Sequence, residues 1–267
     1  MIKFAALCPH PPLAIPAIGQ NNITKLETTI NSLQKINDEL ISIKPDTLVI
    51  ISPHNQSPST EFSVNASPKY FGSLENFGDL ATKLELAADT ELAEIIGAGS
   101  TKNTENFDIK LINEEKIDYG ATIPLFYLTQ DIIGLKILAI HPTISYDPQK
   151  NYNFGKHLQK IFKNSDKKIA IVASGDLSHK ISGDSPAGTS PRAKEFDHTL
   201  IKSLKRKKIN EILSIDESLS KEAEECGLKP IAILLGALHH TAYTPQILSY
   251  EHPFGIGYLT AEMILKN

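Results

Sequence analysis

Cysteine is scarce. The chain has two, Cys8 and Cys226, far apart in sequence. That excludes a disulfide framework and a zinc-ribbon pair, and usage this sparse fits a reducing, cytoplasmic setting. Basic charge is not in excess either. Lys and Arg total 27 against 31 Asp and Glu, a net charge of −4, which leaves no global positive field for nucleic acid. No apolar run approaches the roughly 20 residues that a membrane-spanning helix needs. Met1-Ile2-Lys3 leads directly into a strand pattern instead of a signal peptide. A phosphate loop, a Gly-x-Ser-x-Gly elbow, a sequence repeat and a low-complexity linker are all missing. Membrane spans, nucleotide-loop chemistry and serine hydrolysis of the elbow type drop out at once.

What is present is histidine at the ends of apolar runs. Residues 2–7 read as a buried strand and end in Cys8-Pro9-His10-Pro11-Pro12. Proline fixes its own φ and pushes the residue before it toward extended backbone, so His10 is held stiffly. The same form recurs where Leu48-Val49-Ile50-Ile51 ends in Ser52-Pro53-His54. Between them Leu26, Ile30, Leu33, Ile36, Leu40 and Ile43 follow helical spacing, and Pro45-Asp46 stops the helix. Strand, helix, strand reads as a βαβ unit with parallel strands. In such sheets the strand C-terminal ends share one edge, where ligands bind. His10 and His54 are therefore expected to meet.

Further along, residues 55–88 read as loop with short strands. Residues 90–96 read as a helix ending near Gly97 and Gly99. Residues 132–140 read as a strand running into His141, 151–162 as a helix, and 168–173 as a strand ending in Ser174-Gly175-Asp176-Leu177-Ser178-His179. A polar loop over 180–191 is followed by helices over 193–204, 209–213 and 219–225. The basic run over 205–208 reads as a solvated helix end. A last apolar helix over 231–238 precedes two closing strands. The expected fold is α/β: a single domain over 1–267, with a central, mostly parallel mixed sheet flanked by helices on both faces.

Three strands end in His (His10, His54, His141), and His179 lies six residues past a fourth strand. One histidine near a strand end needs no metal. Several at one sheet edge do suggest one, because neutral imidazole is the commonest side-chain ligand. Two imidazoles and one carboxylate leave open positions, as in non-haem Fe(II) oxygenases. Glu225, Glu224 and Asp176 are the candidate carboxylates, although Asp176 reads equally well as a turn cap. Cys226 is the alternative third ligand, whereas Cys8 reads as core. His157, His198, His239, His240 and His252 read as structural.

These motifs, taken in order, resemble the LigB family, the catalytic subunits of class III extradiol ring-cleavage dioxygenases. The resemblance rests on Cys8-Pro9-His10-Pro11-Pro12, Ser52-Pro53-His54, Asp118-Tyr119-Gly120 with Ile123-Pro124-Leu125, Ser174-Gly175-Asp176-Leu177-Ser178-His179, and Glu225-Cys226-Gly227-Leu228-Lys229-Pro230. It covers nearly the whole chain. It implies a mononuclear Fe(II), with zinc also compatible with the ligand types. It implies His10 and His54 as ligands with Glu225 as the carboxylate, and His179 as acid/base. Tyr119 stands where many active members have a substrate-binding His. The implied reaction opens a catechol-type ring beside the diol with O₂, as in aromatic compound catabolism. Glu225-Cys226-Gly227 also resembles the Memo branch, where Cys takes the third position. The set as a whole is closest to LigB-like proteins associated with the AmmeMemoRadiSam system, which implies a metal-binding protein acting with partners. Family members further imply a homodimer or a small second subunit.

Overall fold

A strand buried on both faces is apolar at every position, not at alternate ones. Four such strands make the middle of the sheet: β1 (Ile2–Cys8), β2 (Thr47–Ile51), β8 (Lys136–His141) and β9 (Ile169–Ser174). The computed structural model describes residues 1–98 and 108–266. The remaining strands are β3 (Phe62–Asn65), β4 (Lys69–Leu74), β5 (Asp79–Ala87), β6 (Ile109–Ile112), β7 (Lys116–Ile117), β10 (Tyr243–Glu251) and β11 (Tyr258–Leu265). Among the described residues the large sheet has the order β10-β11-β1-β9-β2-β8-β3-β6. β1, β9, β2 and β8 run parallel, and β11 and β3 pair antiparallel at either side of them. The fold is thus a single α/β domain built on a large mixed sheet.

The helices are α1 (Pro16–Gly19), α2 (Glu27–Ile43), α3 (Thr90–Ala98), α4 (Tyr119–Leu128), α5 (Pro148–Lys163), α6 (Ala193–Lys205), α7 (Ile209–Leu213), α8 (Glu217–Ala223) and α9 (Leu228–Ala237). Alternate strand residues feed two separate cores, as the period of two requires. Ala5, Leu7, Val49, Ile51, Ile171 and Ala173 pack with Phe154 and Leu158 of α5, Phe196 of α6 and Leu234 of α9. Phe4, Ala6, Cys8, Leu48, Ile50 and Val172 pack with Leu33, Ile36 and Leu40 of α2 and Ile123 of α4. Cys8 is a fully buried core residue. No helix of the described residues is long and apolar enough to cross a membrane.

α5 and α9 cross with their backbones almost touching. A Cβ on Gly155 would lie 2.0 Å from the Ile233 carbonyl oxygen, and one on Gly236 would lie 2.0 Å from that of Tyr152. Gly236→Ala must push the helices apart. We expect a loss of about 3 kcal/mol, the upper end of overpacking costs, seen as a fall in Tm of roughly 6–12 °C. An unchanged melting curve would contradict so close a crossing.

Two details differ from the sequence expectation. β8 starts at Lys136, because Asp131 and Gly134 both take positive φ and turn the chain ahead of it. Residues 69–87 form a hairpin, β4–β5, that joins β7 in a separate three-stranded sheet. Gly99, one of the two expected helix-end glycines, lies outside the described residues.

Candidate metal centre

β9 lies between β1 and β2, so Ser174 at its end stands between the loops that carry His10 and His54. Their neighbours across the site come from the starts of α4 and α9. His10 is 1% exposed. Its backbone N–H donates to Asp176 Oδ1 at 2.9 Å. Ser174 Oγ donates to the Gly120 carbonyl at 2.5 Å, so it accepts from His10 Nδ1–H at 2.8 Å. That chain of bonds puts the His10 proton on Nδ1 and leaves the Nε2 lone pair facing the site. His54 Nε2 meets His10 Nε2 at 3.2 Å.

Burial holds the His10 imidazole down to about 3, with His179 adding to the effect. Burial likewise holds His54 down to about 4, reinforced by His10. Both rings are therefore neutral near pH 7 and available as donors. Cys226 Sγ completes the cluster at 3.6 Å from His10 Nε2. Among the described residues, His10, His54 and Cys226 offer ligand atoms within 4.8 Å of one another. Donors held tetrahedrally at about 2.1 Å for nitrogen and 2.3 Å for sulfur stand roughly 3.4–3.6 Å apart. The two separations from His10 Nε2, 3.2 and 3.6 Å, are close to that spacing, and all three donor atoms lie within 4.8 Å of one another, so the donor set fits a single metal ion.

Cys226 reaches this position through a close backbone approach. A Cβ on Gly175 would lie 2.3 Å from the Gly227 Cα. Glycine at 175 lets the loop after β9 touch the start of α9, and a Cβ on Gly227 would crowd the Asp176 carbonyl oxygen at 3.0 Å. The Asp176 N–H then donates to Cys226 Sγ at 3.2 Å. Burial pushes the Cys226 thiol well above its usual pKa, and the Asp176 charge adds to this.

Glu225, the expected carboxylate ligand, does not stand with the histidines. α8 ends at Ala223, Glu224 turns left-handed at φ 55°, and the two residues after it diverge. Glu225 Oε1 accepts from Ser220 Oγ at 2.5 Å, and Oε2 accepts from Leu228 N at 2.7 Å, at the first residue of α9. Its carboxylate ties two helices together. The carboxylate that does face the histidines is Asp176, whose Oδ2 lies 3.6 Å from His10 Nε2 and 3.9 Å from His179 Nε2. Burial pushes its pKa up to about 6 against the opposing pull of His179.

His179 is at the rim, with its side chain 24% exposed. Tyr119 stacks on His54, with ring centroids 4.5 Å apart and planes 23° apart, and meets His10 edge-on at 5.4 Å. Asp118 caps α4 by accepting from Ala121 N and also accepts from Ser52 Oγ at 2.6 Å, which positions the first turn of α4 beside His54. His141 lies apart from the three-residue cluster. Its Nδ1 faces the Ser52 carbonyl at 3.2 Å and Asp118 Oδ2 at 3.8 Å. His239 hydrogen-bonds Tyr152 OH at 2.8 Å just past α9.

Sequence reasoning passed over two residues here. Phe77, at the tip of the β4–β5 hairpin, meets Tyr119 edge-on at 5.2 Å. Nothing in its Gly- and Asn-rich surroundings signals that reach. Ser174 was visible only as part of a motif, since its role depends on which strand lies beside β1.

A family model described as the catalytic LigB subunit of aromatic ring-opening dioxygenase matches residues 4–261. The chain belongs to the LigB family. Its relatives include Protein CA_C1420 of Clostridium acetobutylicum, 30% identical over 259 residues that make up 94% of this chain and 55% of that protein. The chain thus spans about half the length of that relative. A 3,4-dihydroxyphenylacetate 2,3-dioxygenase of Escherichia coli is 22% identical over 209 residues, 74% of each chain. A 2,3-dihydroxyphenylpropionate/2,3-dihydroxicinnamic acid 1,2-dioxygenase of Rhodococcus globerulus is 25% identical over 145 residues, 51% of this chain and 44% of that one. The crystal structure of the uncharacterized protein JW3007 from Escherichia coli K12 superposes with a TM-score of 0.70 at 16% identity, covering 97% of this chain and 99% of that one. The chain and that structure share one fold.

Proposed function

We propose that the protein is a metal-dependent extradiol dioxygenase, which opens a catechol-type ring beside its diol with O₂. The observation that carries this is the pair of neutral imidazoles, Nε2 to Nε2 at 3.2 Å, with His179 and Tyr119 beside them. His10 Nε2, His54 Nε2 and Cys226 Sγ would hold the ion, Fe(II) for the oxygenase reaction. When bound, the metal supplies charge stabilisation for the diol oxygens and the redox chemistry that O₂ needs. The chain supplies the rest. Ser174 keeps the His10 tautomer fixed. Tyr119 offers a phenol whose pKa burial raises, so it stays protonated and donates a hydrogen bond to a substrate oxygen. His179, at the rim and near Asp176, takes the proton that a diol hydroxyl loses on binding and returns one as the ring opens. The buried floor around His10 keeps water away from the reacting atoms.

The test is anaerobic loading with Fe(II), then a panel of catechols read by O₂ uptake and by the yellow ring-opened product. Activity on at least one member is expected, with His179→Ala reducing it by about 10²–10⁴-fold while bound metal stays unchanged. A panel without colour or O₂ uptake would defeat the dioxygenase reading.

One observation favours a second reading. Thiolate is a softer donor than the carboxylate of the usual two-His oxygenase site, and it suits zinc as well as iron. Should His10, His54 and Cys226 hold zinc and not iron, the protein would be a metal-binding member of the family without oxygenase activity. Stoichiometric zinc with no turnover of any catechol is the outcome expected on that reading.

A further inference from the structure

The α6 helix carries a stripe in which lysines predominate. Lys194, His198, Ile201, Lys202 and Lys205 recur at spacings of four, three, one and three, which puts them on one face. Arg206 follows at the helix end. With Tyr250 and His252 opposite, these residues line a groove of about 570 Å³. That is within the usual range for small-molecule sites.

No carboxylate residue lines the groove. Among the described residues, none of Lys194, Lys202, Lys205 and Arg206 has an ion-pair partner. The contrast with the neighbouring surface is sharp. Arg192, just before α6, pairs with both Glu195 and Glu222, and Lys180 and Lys221 each hold a glutamate. Like charges three and four residues apart weaken a helix. A chain of net charge −4 has carboxylates to spare, yet none faces this stripe. An anionic ligand would offset that repulsion.

The other wall is aromatic, and Tyr250 is held in place. Tyr250 OH donates to Asp197 Oδ2 at 2.6 Å, and Asp197 Oδ1 accepts from Ser178 N at 2.8 Å. Asp197 is buried behind the Tyr250 hydroxyl, and both its oxygens accept from these two donors. The Tyr250 and His252 rings lie 5.9 Å apart, and Ile201 supplies an apolar contact at the floor. Cations on one wall with aromatic side chains on the other suit a planar ring that carries phosphates. Inorganic phosphate would leave the aromatic wall unused.

We propose that this groove is a binding site for a nucleotide-type polyphosphate, with the phosphates on Lys202, Lys205 and Arg206 and the ring against Tyr250 and His252. The proposal does not depend on the reaction assigned to the metal centre.

The test is calorimetric titration of the full chain with ADP, with pyrophosphate, and with single-stranded oligonucleotides of two and twelve residues. Saturable ADP binding is expected, roughly fivefold or more tighter than pyrophosphate because of the ring contact. Reversing two exposed charges, K202E with R206E, is expected to weaken it at least about tenfold with metal content unchanged. K202Q with R206Q gives the same reading if the charge-reversed chain melts early. H252A is expected to bring ADP toward the affinity of pyrophosphate. Absence of saturable ADP binding, or ADP binding indifferent to both double variants, would overturn the proposal. So would pyrophosphate binding as tightly as ADP. Affinity that climbs from the dinucleotide to the twelve-residue strand would assign the stripe to nucleic acid instead.

Discussion

Replacing His10 with alanine is expected to leave the purified protein almost free of tightly bound metal, where the unaltered chain holds about one ion. His10 is the donor with the least freedom. It is buried, its backbone N–H is tied to Asp176, and its Nδ1 proton is committed to Ser174. A ring so constrained delivers its Nε2 lone pair at little entropic cost. Removing the outer partner of a metal-bound histidine weakens metal affinity by roughly 10–100-fold, which is the range expected for Ser174→Ala. Loss of the imidazole itself should exceed that range and empty the site. His54→Ala should act in the same direction. Elemental analysis after dialysis against a weak chelator reads all three variants. Unchanged metal in His10→Ala would show that the ion sits elsewhere.

The second large effect separates two residues that are adjacent in sequence. Cys226→Ala is expected to lower metal affinity by more than the roughly 100-fold upper range of outer partners. It should also abolish the thiolate-to-metal absorption band of the Co(II)-loaded protein. Glu225→Ala is expected to leave both readouts intact and to lower stability instead. It would strand the buried Ser220 hydroxyl and the Leu228 N–H, at a cost of about 1–3 kcal/mol for unpaired buried groups. Part of that cost is the loss of a negative charge at the start of α9. The reverse pattern, with metal lost in Glu225→Ala and retained in Cys226→Ala, would return the third position to the carboxylate.

The difference between these neighbours shows where the sequence stops being informative. A helix ahead of Glu224 is readable, although it ends at Ala223 and not at Glu225, and so is the apolar helix that follows. The single left-handed residue, Glu224, is not. Either glutamate, or the glycine two residues on, is an acceptable choice for the turn, and each choice aims a different side chain at the histidines. The Pro-His strand ends are legible because proline and an apolar run leave few alternatives. That β9 inserts between β1 and β2 is not legible, since pairing of non-consecutive strands leaves no periodic trace. The β4–β5 hairpin shows the same limit. The reach of Phe77 to Tyr119 follows from how the hairpin packs on α4. The carboxylate of Asp176 could be seen as a candidate, yet its proximity to His10 and His179 depends on the tight contact of Gly175 with Gly227.

The position of β9 also governs when during folding a metal can be captured. His10 and His54 both belong to the first part of the chain, and Cys226 to the last. Until β9 slots between β1 and β2, the two imidazoles have no shared support and Ser174 is not beside His10. Metal binding then reports completion of the whole sheet, because it requires contacts between segments far apart in sequence. An N-terminal fragment carrying both histidines but ending at β8 should bind metal poorly. The assembled chain should gain its metal, and the stability linked to it, only at the end of folding.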